Sequence, residues 1–189
     1  MAEVDVLVEG YARPDGEVSR VAGTVSLVRA PGLVAIVDPG MVADRDQILA
    51  PLRDLGVDPG SVTDVILSHH HPDHTVNIAL FPNARVHDTW AIYAGASGED
   101  RPAEGAVLAE GVTLWSTPGH TPQDITTLVE TDDGTVALTH LWWNAGMEGD
   151  PRATDLEALH VGRARVLEVA TTIVPGHGPA FPVTDATPR

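Results

Sequence analysis

Four histidines, His69, His70, His71 and His74, fall within six positions, with Pro72 and Asp73 set between the last two. An offset of two residues puts His69 and His71 on the same side of an extended segment, while His70 points away. Pro72 forces a turn that delivers Asp73 and His74, so one short loop offers three imidazoles and a carboxylate. Three further histidines stand just beyond runs that read as strands: His120 after Thr117-Pro118-Gly119, His140 after Val136 to Thr139, and His177 after Pro175-Gly176. Imidazole nitrogen binds zinc at about 2.0–2.1 Å and carboxylate oxygen at about 2.0–2.2 Å. A metal centre can therefore be built without cysteine, and the chain has none. An affinity-tag-like tract would sit at a terminus and would not be echoed by two distant Pro-Gly-His turns. Zinc is the first expectation, one ion or two, with iron, manganese or nickel as alternatives, because neutral imidazole suits several of these ions.

A bound divalent ion lowers the pKa of its water from 15.7 to roughly 7. Without cysteine or a serine nucleophile elbow, a metal-bound hydroxide is the expected nucleophile, and hydrolysis the expected reaction class.

The elements that must position these residues are legible in outline. Val4 to Val8, Thr24 to Val28 and Leu33 to Val37 are β-rich runs separated by Pro-Asp-Gly and Pro-Gly turns. Asp44 to Leu55 reads as a helix, with Ile48, Leu49, Leu52 and Leu55 apolar, Gly56 as its stop and Pro51 as an expected kink. Val65 to Leu67 is a short buried strand running into the histidine loop. A helical turn near Thr75 to Leu80 and a strand at Ala84 to His87 follow. Strands are expected at Val112 to Ser116, Ile125 to Glu130 and Thr135 to Thr139, the last two joined by Asp132-Asp133-Gly134. Asp155 to Ala170 carries an apolar stripe, and a last strand, Thr172 to Val174, ends at Pro175. Strands, helix, strands, helix, strand is the order of a layered domain with sheets inside and helices outside.

Composition narrows the function. The 189 residues suit one domain, and 43% hydrophobic content supports a core. Twenty-seven acids against 11 bases, all arginine, give a formal charge of −16. Such a surface repels phosphate backbones and anionic lipid, so nucleic acid is an unfavoured partner and a small-molecule substrate a favoured one. No apolar run approaches the roughly 20 residues of a membrane helix. The acidic start Met-Ala-Glu-Val-Asp does not resemble an export signal, so a cytoplasmic setting is expected. Oligomeric state leaves no trace in the sequence.

The segment Ser68-His69-His70-His71-Pro72-Asp73-His74 resembles the His-x-His-x-Asp-His signature of the metallo-β-lactamase superfamily. Thr117-Pro118-Gly119-His120-Thr121 is similar to that family's second motif, Pro175-Gly176-His177-Gly178 to its last, and Val37-Asp38-Pro39-Gly40 to the Asp-x-Gly strand end before the signature. The resemblance spans roughly Thr24 to Gly178, in family order. It implies an α+β fold, a four-layer αββα sandwich, with residues 1–189 as one such domain. It also implies a dinuclear site in which His69, His71 and His120 hold one metal, and Asp73, His74 and His177 the other. Asp73 doubles as a base orienting the hydroxide.

Where the family places an aspartate bridging both metals, this chain has His140. A neutral imidazole has one free nitrogen and cannot bridge two cations. His140 is thus open to several roles: a ligand to one metal, a hydrogen-bond partner of the hydroxide, or a strand-end histidine packed near Trp142 and Trp143. Asp38 and Asp124 are candidates to hold the outer nitrogens of ligand histidines. Trp142, Trp143 and Asn144 are candidate pocket walls, with Trp90 and Tyr93 facing them. Arg163 and Arg165 read as a solvated helix face.

With 12 residues after His177, a helical C-terminal domain of the glyoxalase kind is not expected. The layout resembles the small metallo-β-lactamase-domain-containing proteins, some of which process RNA. Three functions stand: hydrolysis of a small ester, thioester or lactone; a phosphodiesterase or nuclease, which a charge of about −12 even with two Zn²⁺ disfavours; and a non-catalytic metal-binding domain.

Overall fold

The computed structural model describes residues 1–189, the side chain of Val18 excepted. Strand β1 (Glu3–Val8) is followed by a hairpin of β2 (Tyr11–Asp15) and β3 (Val18–Ala22), then by β4 (Val25–Ala30) and β5 (Leu33–Val37). Helix α1 (Asp46–Asp54) leads to β6 (Asp64–Ile66), the short α2 (Pro72–Thr75), β7 (Arg85–His87), β8 (Ala91–Ala94) and β9 (Ser97–Asp100). The second half holds β10 (Val107–Ala109), β11 (Val112–Ser116), β12 (Ile125–Thr131) and β13 (Gly134–Thr139). Helix α3 (Leu156–Leu167), β14 (Thr172–Pro175) and β15 (Phe181–Pro182) complete the chain's elements.

Seven strands form one sheet in the order β1-β4-β5-β6-β7-β8-β9, and six form another, β10-β11-β12-β13-β14-β15. The hairpin β2–β3 stands apart from both. Strand β5 explains how one run serves two layers. Leu33, Ala35 and Val37 face the second sheet's Val112, Leu114, Ile125 and Val174, whereas Val34 and Ile36 pack with Ile48 and Leu52 of α1. Period-two alternation between two buried faces is why β5 reads as continuously apolar. On the far side, Leu128, Ala137 and Ile173 pack against Leu159 and Val166 of α3. The order helix, sheet, sheet, helix is the four-layer αββα sandwich of the α+β class.

Local signals behave as their chemistry dictates. Asp155 caps α3 by accepting from Ala158 N–H at 2.9 Å, and Asp44 accepts from Asp46 N–H at 2.9 Å at the start of α1. Pro51 sits inside α1 without ending it; the helix continues, and Leu55 N–H still reaches the Pro51 carbonyl at 3.0 Å.

Arg163 corrects the sequence reading of a solvated face. It is fully buried, donating to the carbonyls of Leu141 at 2.9 Å and Glu148 at 2.6 Å, and its guanidinium lies 5.2 Å from the Trp142 ring centroid. An arginine can occupy a helix's inner face when backbone carbonyls receive its protons, a partner the sequence does not advertise. Trp142 is core as well, its Nε1–H donating to the Pro188 carbonyl at 2.9 Å. Among the described residues, no helix is long and apolar enough to cross a membrane.

Candidate metal centre

The parallel pairs β5–β6 and β13–β14 end at the same edge of the sandwich. Asp38 follows β5, the histidine loop follows β6, His140 follows β13 and Gly176-His177 follow β14. The loop between β11 and β12 adds His120. Groups just beyond the carboxyl ends of parallel strands are where open αβ sheets place ligands.

The contributing loops meet at very short range. A Cβ on Gly176 would stand 2.4 Å from His140 Cδ2, and one on Gly23 would stand 2.7 Å from His74 Nδ1. Only glycine fits at either position. Asp38 adopts a left-handed backbone, φ 53°, rare outside glycine. In that conformation its carboxylate accepts from Ser68 N–H at 2.7 Å, Ser68 Oγ–H at 2.6 Å and His74 Nδ1–H at 2.7 Å. These three bonds hold the strained turn in place.

The second nitrogen of each ring decides what the first can do. His74 donates its Nδ1–H to Asp38, so the neutral ring presents its Nε2 lone pair, and that nitrogen is buried with no hydrogen-bond partner among the described residues. His69 Nδ1 lies 3.0 Å from Ser68 Oγ, whose own proton goes to Asp38, so His69 donates there and presents Nε2 inward. His120 Nδ1–H donates to Asp150 at 2.7 Å, and His177 Nδ1–H donates to the Ala22 carbonyl at 3.0 Å. His71 turns its Nδ1 inward, 2.9 Å from His69 Nε2 and 3.0 Å from His120 Nε2. These three nitrogens hold at most one hydrogen between them. Beside them, Asp73 Oδ2 is 3.5 Å from His74 Nε2 and 3.6 Å from His177 Nε2.

Donor atoms of His69, His71 and His120 all lie within 4.8 Å of one another, as do those of Asp73, His74 and His177. His140 Nε2 is 3.1 Å from His177 Nε2, and its Nδ1 is buried without a partner among the described residues. His140 belongs to two further close groups, one with His69 and His74, the other with His120 and Asp150.

Protonation does not relieve this crowding. Burial, followed by the charges of neighbouring imidazoles, pulls His69, His71 and His140 below the ordinary histidine value, and His177 down to about 4. His74 moves the other way: burial opposes its charge, but the Asp38 carboxylate outweighs it. Neutral rings whose lone pairs face one another, with a carboxylate beside them, fit a divalent cation.

Asp124 accepts from Thr121 N–H at 2.8 Å and from its hydroxyl, and it bonds to none of the histidine rings. Burial pushes its carboxyl up to about 6. It braces the backbone of the turn at His120 rather than the His120 ring. The carboxylate that does hold His120 is Asp150, which sequence reasoning missed. Gly149-Asp150-Pro151 looks like an ordinary turn, 30 residues from the ring it supports.

Above the candidate ligands is a cleft of about 220 Å³ walled by Trp143 and by Ala12, Pro14 and Val21 of the hairpin. Trp143 is the wall residue of the adjacent pair, its ring centroid 5.2 Å from His177. Trp90 and Tyr93 do not line the cleft: Trp90 lies exposed against His70, 5.5 Å between centroids. His70 faces away toward Asp88, 3.3 Å distant.

The chain's likenesses agree with this geometry. Residues 18–183 match the model of the metallo-beta-lactamase superfamily. Metallo-beta-lactamase domain-containing protein 1 of Xenopus laevis is 37% identical over 190 residues, covering 95% of this chain and 81% of the relative. Among solved structures, a Thermotoga maritima protein assigned to the metallo-beta-lactamases superposes with a TM-score of 0.77 at 19% identity, covering 96% of this chain and 99% of its own. AidC, a dizinc quorum-quenching lactonase in complex with a product, gives 0.68 at 16% identity, covering 90% and 78%. Taken with the order and spacing of the motifs, these matches mean that the chain belongs to the metallo-beta-lactamase superfamily of metallo-hydrolases.

Proposed function

We propose that the protein hydrolyses a small carboxylic ester, thioester or lactone, with a cytoplasmic small molecule as substrate and the whole chain acting as one domain. The observation that carries the reading is the fixing of outer nitrogens. Asp38, Ser68, Asp150 and the Ala22 carbonyl hold four rings so that bare nitrogens converge beside Asp73 on a cleft floor. His69, His71 and His120 would hold one divalent cation, and Asp73, His74 and His177 a second, with His140 supplying a further nitrogen. Zinc is the preferred ion, as in the dizinc neighbour, with iron, manganese or nickel as alternatives.

A divalent cation held there would lower the pKa of a water toward neutrality and add positive charge beside the substrate carbonyl. The chain's own residues do the rest. Asp73, half-buried at the floor, would take the proton that this water loses, orient the remaining lone pair toward the carbonyl, and return the proton to the leaving oxygen or sulfur. His140, kept neutral by burial, offers a nitrogen for a hydrogen bond in the same space. Trp143 and the hairpin's apolar residues exclude bulk water and seat the acyl portion. A cleft of about 220 Å³ suits a small substrate. The neighbour AidC, bound to an N-acyl homoserine product, supports the lactone end of this range.

The test is metal analysis of the purified protein, followed by turnover of a thioester, a lactone and bis-p-nitrophenyl phosphate. One to two equivalents of transition metal and turnover of an acyl substrate are expected. Turnover of the phosphodiester alone would replace the reading with a phosphodiesterase. Absence of metal after gentle purification would leave a domain without hydrolytic chemistry.

A further inference from the structure

The cleft's rim contradicts the charge of the rest of the molecule. Of 27 acids only Asp73, a candidate ligand at the floor, lines the cleft, whereas two of the 11 arginines, Arg13 and Arg152, stand at its mouth. Five other arginines, including Arg29 and Arg85, are spent in ion pairs with carboxylates. Arg13 and Arg152 have no carboxylate within ion-pair range among the described residues, and both are exposed.

Each is tied to the fold, Arg13 through its side chain and Arg152 through its backbone. Arg13 belongs to β2, and its guanidinium lies 4.9 Å from the Tyr11 ring centroid. The backbone N–H of Arg152 donates to Asp150 Oδ1 at 2.8 Å, so the carboxylate that orients His120 also anchors the arginine. In a chain of charge −16, unpaired cations facing a cleft leave an anion-selective mouth on a surface that otherwise repels anions.

We propose that Arg13 and Arg152 bind a carboxylate carried by the substrate away from the bond that is cleaved, making the protein selective for acidic esters or lactones over neutral ones. The proposal rests on the reading of this cleft as a site of ester or lactone hydrolysis. Guanidinium suits the task because its planar fork can meet a carboxylate with two parallel hydrogen bonds and never loses its charge near neutral pH. One residue comes from the hairpin and the other from the loop before α3, so two separate segments bring guanidinium groups to one cleft.

Zinc-loaded protein is compared on mono-p-nitrophenyl glutarate and on p-nitrophenyl valerate, a neutral ester of matched length. Wild type should prefer the acidic ester by more than tenfold in kcat/KM, through KM. Arg13→Gln and Arg152→Gln should each reduce that preference roughly fivefold to tenfold, and Arg152→Lys should restore part of it. Equal handling of both esters by wild type would overturn the proposal. So would variants that lose activity on both esters alike, as a merely structural role would produce.

Calorimetric titration of glutarate into the same zinc-loaded proteins separates this idea from the hydrolytic reading. Coordination of glutarate by metal is common to wild type and variants, so the difference reports the arginines. Wild type should bind about tenfold more tightly than the double variant. Equal affinities overturn the carboxylate site whether or not either ester turns over. A retained affinity difference without turnover of either ester, of the thioester or of the lactone would instead sink the hydrolytic reading and leave the anion site standing.

Discussion

His69, His71 and His120 bring together three imidazoles, with His71 exposed to the cleft, whereas Asp73, His74 and His177 combine a carboxylate with two deeply buried rings. The first group contains no carboxylate of its own; the carboxylates bonded behind its rings are Asp150, on His120, and Asp38, reached through Ser68. The second group has Asp73 in contact and Asp38 directly behind His74. Asp38 therefore supports one ring in each group, and Asp150 only one in the first. His140, between them, adds a neutral ring where the family pattern has a bridging carboxylate, so the second group lacks the anion that would hold two cations close together.

The largest effect should come from removing a ring. His120→Ala or His71→Ala should cost one metal equivalent and nearly all activity, with the far-ultraviolet circular dichroism spectrum retained. Unchanged metal content in either variant removes that residue from the site. Next come the supporting carboxylates. Asp150→Ala should weaken binding of one cation about 10–100-fold, and Asp38→Ala should weaken both by similar factors. Isothermal titration with zinc resolves the two steps. Equal damage to both steps from Asp150→Ala would erase the distinction between the groups.

His140→Asp should tighten the weaker of the two zinc-binding steps, measured by competition with a chelator, because a carboxylate has two oxygens to offer two cations. Weaker binding would show that the ring is a ligand in its own right and that the site is adapted to it.

The smallest effect is on metal-free stability. His177 has a folded value of about 4 against 6.5, so between those values the unfolded chain binds more protons, and stability falls as pH drops from about 6.5 toward 4. His69, His71 and His140 shift in the same sense. His74, raised, and Asp124, raised from 3.8 to about 6, act in the opposite sense, favouring the folded state on acidification. With four groups against two, the melting temperature of metal-free protein should fall between pH 7 and pH 5. A rise would mean that His74 and Asp124 dominate.

The candidate ligands were readable because metal chemistry constrains residue type and spacing together. His69, His71, Asp73 and His74 share one loop, and His120 and His177 follow short Pro-Gly turns at strand ends. The central strands were readable because burial on one or both faces imposes a pattern, as β5 shows. The hairpin β2–β3 was not: Tyr11 to Ala22 is largely exposed, broken by Pro14 and Gly16, and has no apolar face to betray it. It nonetheless supplies one cleft wall, Arg13 and the carbonyl that fixes His177. Asp150 and Arg163 were hidden for a related reason. Each is identified by a partner distant in sequence, an imidazole for one and backbone carbonyls for the other, and partner identity is a product of the fold.

Anomalous diffraction from crystals of protein purified without chelator tests the central claim most directly. The expected result is a peak about 2.0–2.2 Å from His69 Nε2, His71 Nδ1 and His120 Nε2, with a second beside Asp73, His74 and His177. Strong anomalous scatterers bound elsewhere in the molecule, with none at either group, would contradict it.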